Sequence, residues 1–296
     1  MMAITYFVTS TNTEQLQAWL YNDFLRSHAI QCHYLLERRH LALINKDYLK
    51  LTLPDEMLTQ AIYQKLRAAS LQLQFDFFVK PQSIPTKGLI AFDMDSTFIE
   101  EEGVDEIAHT LGISAQIAEM TQQAMEGKVD FDTSFTRRIR MLKGTHCDVL
   151  NVVCDRMTIS PGLAAMLPVL KNKGFKTAII SGGLDIFTQR LKEKYQLDYA
   201  FSNTVEIKDN VLTDNITFPI MNARKKRQTL SALATQLNLA VHNIIACGDG
   251  ANDLPMLTYA GTGIAWRAKP VVRETIHHQI NFHGFESLLF FIEDEL

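Results

Sequence analysis

Asp93 and Asp95 stand two residues apart, directly after the apolar run Gly88-Leu89-Ile90-Ala91-Phe92. Carboxylates placed there repel each other and lose hydration, so something must offset their charge. Ser181 and Gly182 follow a second apolar run, "KTAII", and Asp249 follows a third, "NIIACG", with Asn252 and Asp253 where the turn enters the next helix. Open parallel sheets bind ligands at the carboxyl ends of their strands. Three such strands therefore bring an acid pair, a hydroxyl and a further acid to one edge. A hard divalent cation such as Mg2+ prefers oxygen ligands and offsets crowded negative charge of this kind. Lys226, in the basic run "ARKKR", supplies an ammonium able to balance a carboxylate nucleophile and a phosphoryl group, with Lys225 as its rival. The glycines of "SGG" at 181–183 leave backbone N–H groups open to an anion. Taken singly, each feature also has a plainer reading, as a solvated turn, a capped loop or a basic helix face.

The elements that must position these groups follow from hydrophobic periodicity. Beyond residue 88, apolar runs alternate with amphipathic segments, the pattern of a parallel α/β sheet. "LIAFDMD", "KTAIIS", "NIIACGD", "GTGIAW" and "QINFHG" read as its strands. "ISPGLAAMLPVLKNKG" reads as a helix, with Ser160 to cap it, Pro161 in its first turn, Pro168 as a kink and Gly174 at its end. Residues from about 98 to 158 carry no convincing strand and read as an inserted helical cap. "NTVEIKDNVLTD" predicts a hairpin turning at Asp209-Asn210. Residues 1–80 show the order βαββαβ of a ferredoxin-like unit. Its strands are "ITYFVT", "IQCHYLLE", "HLALIN" and "LQFDFFVK", with "RR" as a turn between the middle two. Pro54 and the acids after it mark the start of its second helix. "KPQSIPTKG" reads as the linker, so the predicted division is 1–80, a linker at 81–87, and 88–296.

Composition bounds the alternatives. The 296 residues, 47% hydrophobic and 21% charged with a formal net charge of −4, describe an ordinary globular chain of about two domains. That charge gives no reason to expect nucleic acid or an anionic membrane as partner. No apolar run approaches a bilayer span, and no basic flank precedes an apolar core at the N-terminus. The four cysteines form no CxxC pair, which points to the reducing cytoplasm. The nine histidines show no ligand spacing. A homodimer is compatible with all of this.

In this order, "DMDST", "SGG", a lysine and "GDGAND" resemble the haloacid dehalogenase superfamily of phosphotransferases. "DMDSTFIEEEGVDEIA", "AMEGKVDFDTSFTRRIRMLKG", "IISGG" and "GDGANDLPML" resemble its phosphoserine phosphatase branch over roughly residues 88–290. Residues 1–80 resemble an ACT-like domain, without that family's glycine-bearing turn after the first strand. The resemblance implies a Rossmann-like parallel core with a helical cap, and hydrolysis of phosphoserine to L-serine, the last step of serine biosynthesis. It implies Asp93 as nucleophile and Asp95 as general acid and base. Mg2+ is implied to sit among Asp93, the backbone carbonyl of Asp95 and Asp249, with Asp253 behind them. Ser181, Gly182, Lys226 and Asn252 are implied to hold the phosphoryl oxygens. Glu102 and Arg138 would grip the substrate's ammonium and carboxylate, with Met125 and Phe131 as the apolar wall. Arg137 and Arg140, outside that pattern, read as a solvated helix face. A phosphatase for another small phosphomonoester, such as phosphohomoserine, and a non-catalytic amino-acid sensor are the rival readings. The sensor has no need of Asp93, Asp95, Lys226 and Asp249 together.

Overall fold

A computed structural model describes residues 2–9, 12–26, 34–41, 46–80, 87–125 and 128–293, and their side chains apart from those of Met2 and residues 122–125. The N-terminal part runs β1 (Met2–Thr9), α1 (Thr13–Trp19), β2 (Leu35–Leu41), β3 (Lys46–Pro54), α2 (Gln60–Leu73) and β4 (Phe75–Val79). Its sheet is antiparallel in the order β2-β3-β1-β4, which is the predicted βαββαβ arrangement.

Two local expectations fail there. Arg38 and Arg39 do not turn the chain but lie inside β2, and the next strand is "KDYLKLTLP" rather than "HLALIN". β2 is an edge strand whose charged side chains meet solvent and one another, as in the Arg39–Glu37 pair, and such a strand imitates a turn in sequence. Helix α2 also starts later than Pro54 suggests. Pro54 ends β3, and Thr59 is the N-cap, its hydroxyl accepting from the Ile62 N–H at 3.3 Å.

The remainder begins with β5 (Leu89–Phe92), followed by α3 (Gly103–Leu111), α4 (Ser114–Met125), α5 (Phe131–Leu142) and α6 (Cys147–Arg156). An antiparallel bridge between Ile99 and Ile159 closes the base of this helical excursion. Then come α7 (Leu163–Asn172), β6 (Lys176–Leu184), α8 (Asp185–Tyr195), β7 (Tyr199–Asn203), β8 (Val205–Lys208) and β9 (Val211–Ile216). The chain continues through α9 (Ala223–Gln236), β10 (Ile244–Gly248), α10 (Leu254–Tyr259), β11 (Thr262–Trp266), α11 (Pro270–Thr275), β12 (His278–Ile280) and α12 (Leu289–Ile292). The main sheet is parallel in the order β12-β11-β10-β5-β6-β7. β5 and β10 are buried along their whole length, as expected of strands covered on both faces. The order makes β10, β5 and β6 neighbours, so the strands leading to Asp249, Asp93 and Ser181 end side by side.

The hairpin of β8 and β9 turns at Asp209 and Asn210, whose φ values of 51° and 67° are those of a type I′ turn. Ser160 does not cap α7. Its hydroxyl donates to the Thr97 carbonyl at 2.6 Å, while Gly162, at φ 79°, is the N-cap and Pro168 lies inside the helix. Gly174, at φ 77°, follows the helix end as expected.

The compositional break near residue 80 is not a break in packing. Tyr6, Val8, Tyr48 and Phe78 share one apolar cluster with Phe290 and Phe291, and the Phe78 ring lies 5.2 Å from that of Phe290. Asp76, fully buried, accepts from the backbone N–H groups of Asn281, Phe282 and His283 and from Nδ1 of His283 at 2.8–3.1 Å. Asp76→Ala leaves those donors buried and unanswered, and should destabilise the chain by about 3 kcal/mol. Denaturant unfolding measures this, and an unchanged midpoint would remove Asp76 as the anchor. A chain beginning near Gln82 should keep its chemistry but lose stability, because Phe290 and Phe291 become exposed.

Candidate active site

Asp93 lies just past the end of β5, where its N–H donates to the Cys247 carbonyl of β10 at 2.9 Å. Its Oδ1 accepts from the Met94 N–H at 2.7 Å and pairs with Lys226 Nζ at 2.7 Å. Lys226 is completely buried in the first turn of α9 and also donates to Asp253 Oδ1 at 2.8 Å. The helix phase thus decides between the two lysines: Lys226 points inward, while Lys225 stays partly exposed with no part in the acid cluster. Asp253 is held from its other side by the Gly250 N–H at 3.1 Å. A Cβ on Gly248 would come within 2.7 Å of the Asp253 side chain, so the close approach of that strand needs glycine.

Asp95 follows on a tight turn in which Ser96 takes a φ of 53°. Its Oδ1 accepts from the Gly103 N–H at 2.8 Å, and Gly183 leaves room for Oδ2. Ser181 is completely buried at the end of the regular part of β6, and its Oγ accepts from the Gly183 N–H at 2.8 Å, leaving its own proton to donate. Phe131 packs against Gly182, where a Cβ would meet its ring at 3.0 Å. Asp249, after β10, accepts from the Thr97 hydroxyl at 3.3 Å and pairs with Lys269 at 3.3 Å.

These elements surround a cavity of about 410 Å³. Asp93, Asp95, Glu102, Phe131, Arg138, Gly182, Asp249 and Asn252 all line it, with Ser181, Lys226 and Asp253 buried next to these lining groups. The side chain of Met125 lies outside the described residues. Glu102 sits at the start of α3, with Oε1 accepting from the Ser96 hydroxyl at 2.8 Å. Arg138 comes from α5, and its Nε is buried without a hydrogen-bond partner. Arg137 and Arg140, on the same helix, are exposed as expected. Asp105 and Lys269 also line the cavity, and the sequence reading missed both. Asp105 is one of two adjacent acids in the first turn of an amphipathic helix, and Lys269 follows a strand read only as core. Its position after the apolar run "GTGIAW" was the one available signal.

Burial, reinforced by Asp253, holds the Asp93 carboxyl well above its ordinary range against the pull of Lys226. Burial and then Glu102 push Asp95 up to about 7, with the Gly103 N–H opposing them. Burial also raises Glu102 and Asp249. Burial opposes the charge on Lys226, but Asp253 and Asp93 outweigh it and hold the ammonium above its ordinary value. Carboxyls whose folded values are raised bind protons more strongly in the native chain, so stability falls as pH rises from about 4 through the folded value near 7. The melting temperature of the metal-free protein should fall between pH 5 and 8, and fall less in Asp95→Asn. Equal slopes in the two proteins would remove Asp95 from that role.

One carboxylate oxygen each of Asp93, Asp249 and Asp253 lie within 4.8 Å of one another, all buried. Excess carboxylate over ammonium, gathered on hard oxygen donors, fits a divalent metal ion. Asp253 thus reaches the cluster itself, besides standing behind it as a partner of Lys226.

Residues 88–261 match the family described as haloacid dehalogenase-like hydrolases. A phosphoserine phosphatase of Archaeoglobus fulgidus is 37% identical over 233 residues, which are 77% of this chain and 68% of that protein. A HAD family hydrolase from Salmonella enterica serovar Typhi has a structure similar to this one with a TM-score of 0.95 at 68% identity, over 99% of this chain and all of that one. A phosphoserine phosphatase captured as a phospho-aspartyl intermediate analogue is 35% identical, with a TM-score of 0.65 over 70% of this chain and 99% of that one. An acid pair, a buried lysine and a strand-end serine converge here under a helical cover. The chain therefore belongs to the haloacid dehalogenase-like hydrolases, in the branch that holds the phosphoserine phosphatases.

Proposed function

We propose that the chain hydrolyses O-phospho-L-serine to L-serine and phosphate through an aspartyl-phosphate on Asp93. The observation that carries this reading is the pairing, across one cavity, of the Asp93–Lys226 centre with Glu102 and a half-buried Arg138 whose Nε has no hydrogen-bond partner. A phosphoryl group suits the first, and the carboxylate and ammonium of an amino acid suit the second.

Oδ1 of Asp93 is occupied by Met94 and Lys226, which leaves Oδ2 to attack phosphorus. As the bond from phosphorus to the seryl oxygen breaks, Asp95 gives that oxygen its proton. A group titrating near 7 can both give and take a proton at neutral pH. Asp95 then takes a proton from water, whose oxygen attacks phosphorus, and the phosphorus bond to Asp93 breaks to restore the carboxylate. Lys226, the Ser181 hydroxyl, the Gly182 backbone and Asn252 meet the charge that spreads over the phosphoryl oxygens. Mg2+, held by Asp93, Asp249 and the Asp95 carbonyl with Asp253 behind them, would supply charge neutralisation when bound. Phe131, with Met125, would form the apolar wall that keeps water from the phosphoryl group.

Residues 1–80 and 88–296 are proposed as the two units, with the helices near 98–158 as the cap. Among the described residues no helix is long and apolar enough to cross a membrane. A cytoplasmic location and a homodimer belong to the same proposal, checked by cell fractionation and light scattering. Phosphate release from phosphoserine, phosphohomoserine and phosphoethanolamine, each with and without Mg2+, tests the activity. Mg2+-dependent release that is fastest from phosphoserine supports it. Faster release from phosphohomoserine replaces the substrate, and no release from any of them leaves the sensor reading.

A further inference from the structure

Between the two parts of the chain lies a second, half-open cavity of about 230 Å³ that shares no lining residue with the catalytic one. Arg67, Leu71 and Phe77 line it from the N-terminal side, and Pro270, Arg273 and Glu274 from the other. Arg67, in the middle of α2, donates through Nη2 to the Ile276 carbonyl at 3.2 Å and faces Nδ1 of His277 at 3.2 Å. Neither group is an anion, and Nε of Arg67 is buried without a partner. Burial pulls its pKa below the ordinary value, with only Tyr63 opposing. Arg273, half-buried on α11, makes no ion pair or side-chain hydrogen bond among the described residues.

The nearby acids do not answer these two charges. Asp76, in the same wall, is occupied by the 281–283 backbone and the His283 ring. Glu274 is exposed and pairs with neither arginine. Two guanidiniums thus border one half-open space without a counter-ion, and a planar carboxylate is the natural complement of each. Leu71, Phe77 and Pro270 supply the apolar part of its lining. The volume is below the roughly 300–1,000 Å³ of pockets for drug-sized ligands, so the space suits a small molecule.

We propose that this interdomain cavity binds a small dicarboxylate, with one carboxylate on Arg67 and the other on Arg273, so that the ligand bridges the two parts of the chain. Arg273 stands on α11, and Lys269, immediately before that helix, pairs with Asp249. The bridge therefore lies one short helix from the catalytic acids.

Calorimetric titration of the full-length protein with succinate tests the site. One succinate should bind per chain, and Arg67→Ala and Arg273→Gln should each weaken binding by at least about tenfold, the loss of one charged hydrogen-bonding group. Arg138→Ala, in the catalytic cavity, should leave succinate binding unchanged. Arg273 has no partners to lose, so its variant should keep the wild-type melting temperature, and the result stands even if Arg67→Ala folds poorly. Absence of saturable binding, binding that survives Arg273→Gln undiminished, or binding lost in Arg138→Ala would each overturn the proposal. None of these readings depends on phosphatase turnover.

Discussion

Asp93→Asn should reduce turnover of phosphoserine by at least about 10⁴-fold, because an amide cannot form the acyl phosphate. The substitution is nearly isosteric, and the amide oxygen can still accept from the Met94 N–H now bound at 2.7 Å. The loss should therefore be chemical, with the melting temperature close to that of the wild type. A second readout separates nucleophile from general damage. Trifluoroberyllate, which adds to a carboxylate oxygen as a phosphoryl mimic, should form an adduct on wild-type protein and none on Asp93→Asn. Multiple-turnover activity in the purified variant would sink the assignment of Asp93, and with it the reading of Asp95 as its proton partner.

Arg138→Ala should lower kcat/KM for phosphoserine by between roughly 30-fold and several thousand-fold, the 2–5 kcal/mol typical of leaving one member of a buried charge pair alone. The guanidinium is poised for this role. Burial lowers its pKa, while Asp105, Asp95 and Glu102 counter that and keep it charged, and its Nε has no protein partner. Phosphoethanolamine has no carboxylate, so its turnover should be low already and should change little in the variant. Glu102→Gln should weaken both substrates, since both present an ammonium group. Crossing enzyme changes with substrate changes isolates the contact, because general damage to the cap affects both substrates alike. Equal losses on the two substrates in Arg138→Ala would remove its carboxylate-gripping role.

Much of this site was legible because strand ends are legible. An apolar run that stops at an acid or hydroxyl marks where a buried strand leaves the sheet, and parallel strands point their carboxyl ends the same way. The sequence therefore places Asp93, Ser181 and Asp249 on one edge, and the hairpin turn at Asp209-Asn210 follows from its backbone chemistry. Where charge and period disagree, local pattern misplaces the strand. The arginines of β2 looked like a turn because edge strands carry charge to block further pairing, and β3 was shifted in consequence.

The sequence by itself determined which residue types reach the catalytic edge, since local periodicity and strand order are encoded in neighbouring residues. Tertiary structure alone decided which of two adjacent lysines turns inward, because helix α9 has to present one face to the sheet and buries Lys226 between Asp93 and Asp253. It also decided that Lys269 meets Asp249, that Asp105 joins Arg138 at the cavity, and that Asp76 ties residues 281–283 to the N-terminal sheet. Those contacts join residues far apart in the chain or on different elements. No local pattern encodes such pairings, which arise only when packing brings the elements together and excludes the water that would otherwise solvate each charge alone.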